Sequence, residues 1–321
     1  MAQLRAFLAL AEHLHFRDAA AALRMSQPAL SGAVAALEEQ LGTRLVERTT
    51  RRVLLTPAGE RVARRAESVL AELDRLVEEV RSARGPLVGP LRLGVIPTVG
   101  PYLLPAVLPR LARDFPDLEL SVREEQTHSI VADLAAGRLD VVILALPVPM
   151  PGVLELPLYS EDFLLVASRA QEVAPAPVPR QALGELDVIL LNEGHCLRDQ
   201  ALDVCREVGA RATAATYAAS LATLVQLVSG GLGVTLLPQT ALPVETRRAE
   251  GLAVRRFADP APYRTIGLAH RATSPRAAEF AALAGTVRAA VADAHPEVRV
   301  HDRPVAEPAG AQGAPGGPPN G

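Results

Sequence analysis

The chain has 321 residues, 49% of them apolar, and a formal net charge of −3 at pH 7. That length and apolar content support two or three domains with sizeable cores, and the net charge excludes a protein that is basic throughout. No membrane span is expected, because the apolar stretch over 93–109 is cut by Pro97, Pro101, Pro105 and Pro109. No secretory signal is expected either, since Met1 leads into an amphipathic pattern containing Arg5, Glu12 and His13. The expected compartment is the cytoplasm, where thiols rest reduced and a disulfide is transient.

The charge is unevenly spread. Residues 1–65 hold ten arginines and six acids, a balance of +4 that leaves −7 for the rest. A basic N-terminal module on an acidic body suits a local nucleic-acid footprint. Leu4, Phe7, Leu8, Leu10 and Ala11 predict a helix over 3–14, and Phe16-Arg17-Asp18 opens a second over 19–23. Ser26 is a strong N-cap, and Gln27-Pro28 starts a third helix to about Leu41. Two short helices joined by a tight turn read as helix-turn-helix. Ser26, Gln27, Pro28 and Ser31 are expected to face the DNA major groove, with Ala29, Leu30, Val34 and Leu37 packed inward. Short strands over 44–47 and 53–55 flank Arg48, Arg51 and Arg52, a wing able to lie along phosphates. A small helical bundle with a solvated arginine turn is the alternative on pattern alone.

The fragments SQPALS, LEEQLGTRLVERT and LTPAG resemble the winged helix of LysR-type transcriptional regulators. The resemblance implies a DNA-binding domain over 1–58. The first helix begins almost at Met1, so a DNA-contacting base that relatives carry ahead of it is expected to be missing, or the true start to lie upstream.

Over 59–84, Val62, Ala66, Val69, Leu73, Leu76 and Val80 follow alternating four and three spacings, a heptad seam. So narrow a stripe predicts a linker helix over 59–85 that pairs with a second copy, the alternative being a helix packed on its own domain. Gly85-Pro86 and Gly89-Pro90 then predict a hinge.

Beyond it strands alternate with helices. Strands are expected over 91–96, 118–124, 141–146, 163–168, 188–192, 234–237 and 265–270, and helices over 102–114, 129–136, 197–208, 220–229 and 276–294. That alternation predicts an α/β domain with a parallel sheet. The segment from His301 to Gly321 is rich in Pro, Gly and Ala, and a disordered tail is expected over 296–321.

Both cysteines lie in NEGHCLRDQALDVC, residues 192–205. Leu197, Ala201, Val204 and Val208 recur at helical spacing, which puts Cys196 at or near a helix N-terminus, where free N–H groups favour a thiolate. His195 and Arg198 add positive or donor character, while Asp199 opposes ionisation but can cap the helix. Cys205 falls among apolar positions, where a thiol behaves as a small hydrophobe. Nine residues of unbroken helix separate the two by about 13.5 Å along the axis. A disulfide needs Cα atoms within about 7 Å, so the cysteines can join only if the segment unwinds. On residue chemistry alone two unlinked thiols are the commoner arrangement in a chain of this kind.

GHCLRDQA followed by a second cysteine resembles the signature of the OxyR group of LysR-type regulators, hydrogen-peroxide sensors. The resemblance implies that Cys196 is the peroxidatic cysteine and Cys205 the resolving one, joined in a reversible disulfide. It also implies a two-lobed, periplasmic-binding-protein-like effector domain over 91–295, with lobe I about 91–163 and 267–295 and lobe II about 164–266. IPTVGP, EEQTH and PYRTIGL match the same group, which implies a peroxide pocket of Thr98, Thr127, His195, Asp199 and Arg264. Taken singly, the threonines read as helix caps and Arg264 as a solvated charge. The implied partners are double-stranded promoter DNA, hydrogen peroxide and further copies of the chain as a dimer or tetramer. A thiol reductant such as glutaredoxin, thioredoxin or a small thiol, and RNA polymerase, complete the set. No cofactor, metal or enzymatic turnover is expected. Two rivals remain: a LysR-type regulator of a small metabolite bound between the lobes, and a thiol peroxidase using Cys196.

Overall fold

The computed structural model describes residues 1–48, 53–81, 87–148 and 150–301. Helices α1 (Ala2–His13), α2 (Phe16–Ala22) and α3 (Gln27–Leu41) precede a hairpin of β1 (Val46–Arg48) and β2 (Val53–Leu55) and the long α4 (Pro57–Arg81). The second helix starts earlier, and the first strand later, than the sequence pattern suggested. Phe7, Leu10, Leu30, Val34 and Leu45 close a small core beneath α3. Ser26 caps α3 by accepting from the Ala29 amide at 3.4 Å, and Gly42 ends it in the left-handed region. Ala29 itself is exposed, contrary to its expected inward place, because the first turn of α3 stands clear of the core.

The spacing of LEEQLGTRL and LTPAG has a physical cause. Glu38 accepts from the amides of Leu45 and Val46 at 2.7 and 3.1 Å, tying α3 to the wing. Thr56 donates to the Arg44 carbonyl at 2.8 Å and accepts from the Gly59 amide at 3.0 Å, a side-chain cap for α4. A Cβ on Gly59 would stand 2.1 Å from the Leu45 carbonyl oxygen, so only glycine lets this helix start lie against the backbone just ahead of β1.

Downstream come β3 (Gly89–Val95), α5 (Gly100–Asp114), β4 (Leu118–Glu124), α6 (Thr127–Ala135), β5 (Val141–Leu146) and β6 (Val153–Ser168). Next are β7 (Asp187–Leu191), α7 (Cys196–Val208), β8 (Arg211–Ala218), α8 (Leu221–Ser229), β9 (Thr235–Pro238) and α9 (Leu242–Glu245). The described chain closes with β10 (Leu252–Arg256), β11 (Tyr263–Arg271), α10 (Ala277–Ala294) and β12 (Arg299–Val300). The main sheet has the order β10-β6-β11-β5-β3-β4, with β9 and β12 also pairing with β6, while β7 and β8 form a separate parallel pair. Strands β9, β10 and β12 all run antiparallel to β6, so the main sheet is not the parallel one that the alternation predicts. Two compact units emerge among the described residues: Met1–Gly94 with Phe115–Val142 and His270–Phe280, and Val95–Asp114 with Ile143–Ala269 and the described chain from Ala281.

Several expectations are corrected. Gly89 and Pro90 begin β3 rather than forming a hinge; residues 82–86, with Gly85-Pro86, lie outside the described residues. Pro105 and Pro109 sit inside α5, tolerated one turn apart on its exposed side. The tail does not begin at 296: Arg299 and Val300 pair with Ser160 and Tyr159, and the His301 amide donates to Leu158 at 2.9 Å. Residues 302–321 lie outside the described residues. Of the seam, Ala66 is buried, Val62 half-buried and Val69 48% exposed; the side chains of Leu73, Leu76 and Val80 lie outside the described set.

Candidate functional site

The cysteine helix belongs to a β–α–β unit. Strand β7 is buried along 188–191, and at its end Gly194 adopts φ 93°, a left-handed turn that sends the chain into α7. His195 is the N-cap residue and Cys196 the first helical residue. That start leaves the positive end of the helix dipole at the Cys196 backbone, while the Arg198 amide closes a tight turn onto the His195 carbonyl at 2.9 Å. No side chain caps this helix: Asp199 stands exposed in the first turn rather than closing it. Leu197, Ala201, Val204 and Cys205 are buried, and Val208 packs at the edge of the same core.

The two thiols have different surroundings. Cys196 is half-buried, whereas Cys205 is 2% exposed in a core with Leu183, Val204 and Leu190. Burial pushes the Cys205 thiol pKa up, which keeps it protonated and unreactive. His195 is 5% exposed, and burial lowers its pKa. The imidazole is therefore neutral near pH 7 and offers a hydrogen-bonding edge, the donor rather than the positive alternative for this residue. Arg198 carries the local charge but is engaged with the scaffold. It donates to the Leu191 carbonyl at 3.4 Å and its guanidinium lies 4.9 Å from the Tyr217 ring centroid.

Arg264 is not a solvated charge. Its side chain is wholly buried on β11 and makes four contacts. Nε and Nη2 each lie 2.8 Å from Glu161 Oε1, Nη1 donates to Thr98 Oγ1 at 3.0 Å, and Nη2 to the Thr98 carbonyl at 2.9 Å. Burial alone would lower the Arg264 pKa, but Glu161, Tyr159 and Cys196, in that order, outweigh it and the net direction is upward. Cys196 is thus within electrostatic reach of the guanidinium. Thr98, in the turn after β3, is 2% exposed and serves Arg264 instead of capping α5.

Thr127 is the first residue of α6, whose N-cap is Gln126. Its hydroxyl is buried and has no hydrogen-bond partner among the described residues, so it is not a helix cap either. In the N-terminal module, Ser26, Gln27 and Pro28 are exposed at the start of α3, and Ser31 is half-buried one turn on. Arg48 ends β1; its side chain, and Arg51 and Arg52 entirely, lie outside the described residues.

Sequence reasoning missed Glu161, Thr240 and Tyr159. Glu161 is wholly buried in the middle of β6, and its Oε2 accepts from the Thr240 amide and hydroxyl at 2.8 and 2.7 Å. The signal was present in the alternation Tyr159, Glu161, Phe163, which places an acid between two aromatic residues on one strand face.

The family model "Bacterial regulatory helix-turn-helix protein, lysR family" matches residues 1–60, and "LysR substrate binding domain" matches 84–292. A relative in Streptomyces viridosporus, named probable hydrogen peroxide-inducible genes activator, is 62% identical over 296 residues, 91% of this chain and 95% of that protein. The Escherichia coli K12 DNA-binding transcriptional dual regulator OxyR is 44% identical, covering 89% of this chain and 94% of its own. A cysteine variant of Corynebacterium glutamicum OxyR, solved with hydrogen peroxide bound, superposes with a TM-score of 0.65 at 43% identity, over 91% of this chain and 92% of that one. The chain belongs to the LysR family of bacterial helix-turn-helix regulators, within its OxyR group, and is a DNA-binding regulator rather than an enzyme.

Proposed function

We propose that this chain is a cytoplasmic transcription regulator that senses hydrogen peroxide through Cys196 and controls oxidative-stress genes. The observation that carries the reading is the contrast within α7: Cys196 half-exposed at the helix N-terminus near a buried arginine, Cys205 sealed in the core. The Cys196 thiolate attacks one peroxide oxygen; an S–O bond forms, the O–O bond breaks, and hydroxide leaves to take a proton and become water. The Cys205 thiol then displaces water from the sulfenic acid, giving the Cys196–Cys205 disulfide. A thiol reductant, whether glutaredoxin, thioredoxin or a small thiol, supplies the two electrons that reset it.

The reading assigns the holding of peroxide to Thr98, His195, Asp199 and Arg264, and to Thr127 with its unpartnered buried hydroxyl. Hydroxyl groups both donate to and accept from a peroxide, and a guanidinium offsets charge on the departing oxygen. Ser26, Gln27, Pro28 and Ser31 read promoter DNA, with Arg48, Arg51 and Arg52 on phosphates. The linker helix over 59–85 joins two copies, and pairs of dimers span two adjacent sites where they can engage RNA polymerase. The effector domain from residue 91 folds as two lobes of the periplasmic-binding-protein type, connected near residues 163 and 266.

The test is a brief peroxide pulse followed by sulfenate trapping and non-reducing peptide mapping. Trapped label on Cys196 and a Cys196–Cys205 peptide are expected. Neither species in the wild type would sink the peroxide reading and favour a regulator of a bound metabolite.

A further inference from the structure

We infer that Glu161 is a positioning residue for the oxidation of Cys196, holding the Arg264 guanidinium in the one orientation that serves the reacting oxygen. The inference rests on the peroxide reading above. Guanidinium groups gain their specificity from a planar fork of donors, and here the fork is committed on two sides. Glu161 Oε1 lies 2.8 Å from Nε and 2.8 Å from Nη2, while Thr98 takes Nη1 and shares Nη2. The carboxylate cannot rotate to follow a drifting arginine, because its other oxygen is pinned by two donors from Thr240. All of these groups are buried, so no water competes for them and the geometry is set before any oxidant arrives.

The arrangement joins four segments far apart in sequence: the turn after β3, the middle of β6, the turn after β9, and the start of β11. It also decides the charge balance. A lone buried guanidinium would impose a full positive charge near Cys196; paired with Glu161 it acts as an oriented dipole with one side committed. Glu161 touches neither cysteine in this network, so its effect must pass through Arg264.

The test uses the full-length protein, comparing wild type with Glu161→Gln, Arg264→Lys and the double variant. Two rates are measured for each across pH 5.5–9: sulfenate formation at Cys196 with hydrogen peroxide, and alkylation of Cys196 by a neutral haloacetamide. Alkylation needs the thiolate but has no departing hydroxide to stabilise. We expect Glu161→Gln to slow the peroxide reaction by about tenfold or more, while the high-pH alkylation rate stays within about twofold. Arg264→Lys should show the same selective loss because a lysine cannot reproduce the fork, and the double variant should lose little more than either single one. Should Glu161→Gln fail to fold, Thr240→Val removes one of the donors pinning the carboxylate and should give a smaller loss of the same selectivity. A Glu161→Gln protein that oxidises at the wild-type rate, or loses both rates equally, overturns the inference while leaving the peroxide reading intact. A wild type that forms no sulfenate fails the reading itself.

Discussion

Cys196 and Cys205 lie at the first and tenth positions of one unbroken helix, α7, on roughly opposite sides of its axis. A straight helix holds them about 13.5 Å apart along the axis, roughly twice the Cα separation that a disulfide permits. The reduced fold therefore stores the two partners of the proposed bond in a geometry that forbids it. Forming the bond must break the helix and draw Cys205 out of the core that it shares with Val188, Leu190 and Leu221.

That gives the first expectation. Amide hydrogen exchange across 197–205 should accelerate strongly on oxidation of the wild type, and protease cleavage should appear between Leu197 and Val204. Cys205→Ser should take up one oxygen at Cys196 and keep the α7 amides more protected than the disulfide form. Equal protection in reduced and disulfide-linked wild type would show that the helix does not unwind.

The second concerns pH. Burial lowers the pKa of His195, and the largest cause of the lowered His270 pKa is likewise burial, with Arg271 adding to it by charge and opposing it through a backbone hydrogen bond. A histidine with a folded pKa below its unfolded 6.5 stays neutral in the native state while the unfolded chain takes a proton. Its contribution to stability is complete above 6.5 and is lost as pH falls below that value. Each such group contributes a slope of at most about 1.4 kcal/mol per pH unit in its window. Melting temperature should fall as pH is lowered from about 7.5 to 5.5, and His270→Gln should flatten that decline. A melting temperature that rises toward pH 5.5 would contradict the burial of these rings.

Gly59 offers a test of the winged module. Gly59→Ala forces a methyl onto the Leu45 carbonyl, where no flexible side chain can yield. A loss of about 1–3 kcal/mol is expected for an overpacked contact of this kind. Thermal unfolding and DNA binding should both suffer, whereas Gly32→Ala, which meets nothing within 4 Å, should be nearly neutral or slightly stabilising.

For α3, stability and recognition should separate. Ser26→Ala removes the cap on the Ala29 amide and should cost about 1 kcal/mol of stability. Gln27→Ala changes an exposed side chain with little structural consequence, and should weaken specific promoter binding by about 1–3 kcal/mol if the glutamine reads a base. Binding anisotropy on promoter and scrambled duplexes distinguishes the two: unchanged discrimination in Gln27→Ala would remove it from the reading face.

Local chemistry was legible in the sequence. Ser26, Pro28 and Gly42 mark the limits of α3 because caps and turn residues act within a few positions, and the apolar spacing from Leu197 to Val204 announced α7 for the same reason. The GHC run likewise revealed Cys196 as the head of a helix, since Gly194 makes the turn that lets the helix begin there. Strand β6 was half hidden: only its apolar end over 163–168 reads as a strand, while Pro157, Ser160, Glu161 and Asp162 interrupt the pattern before it. Those polar residues become strand only because β12 and β11 supply partners and buried groups to meet them. Tertiary structure alone decided the state of Arg264. Its acid lies 103 residues away and its threonine 166, and the threonine that pins the acid is a further 79 residues from Glu161. An arginine in PYRTIGL looks solvated to any local rule; burial with a full set of acceptors is a property of strands brought together, and no short-range signal encodes it.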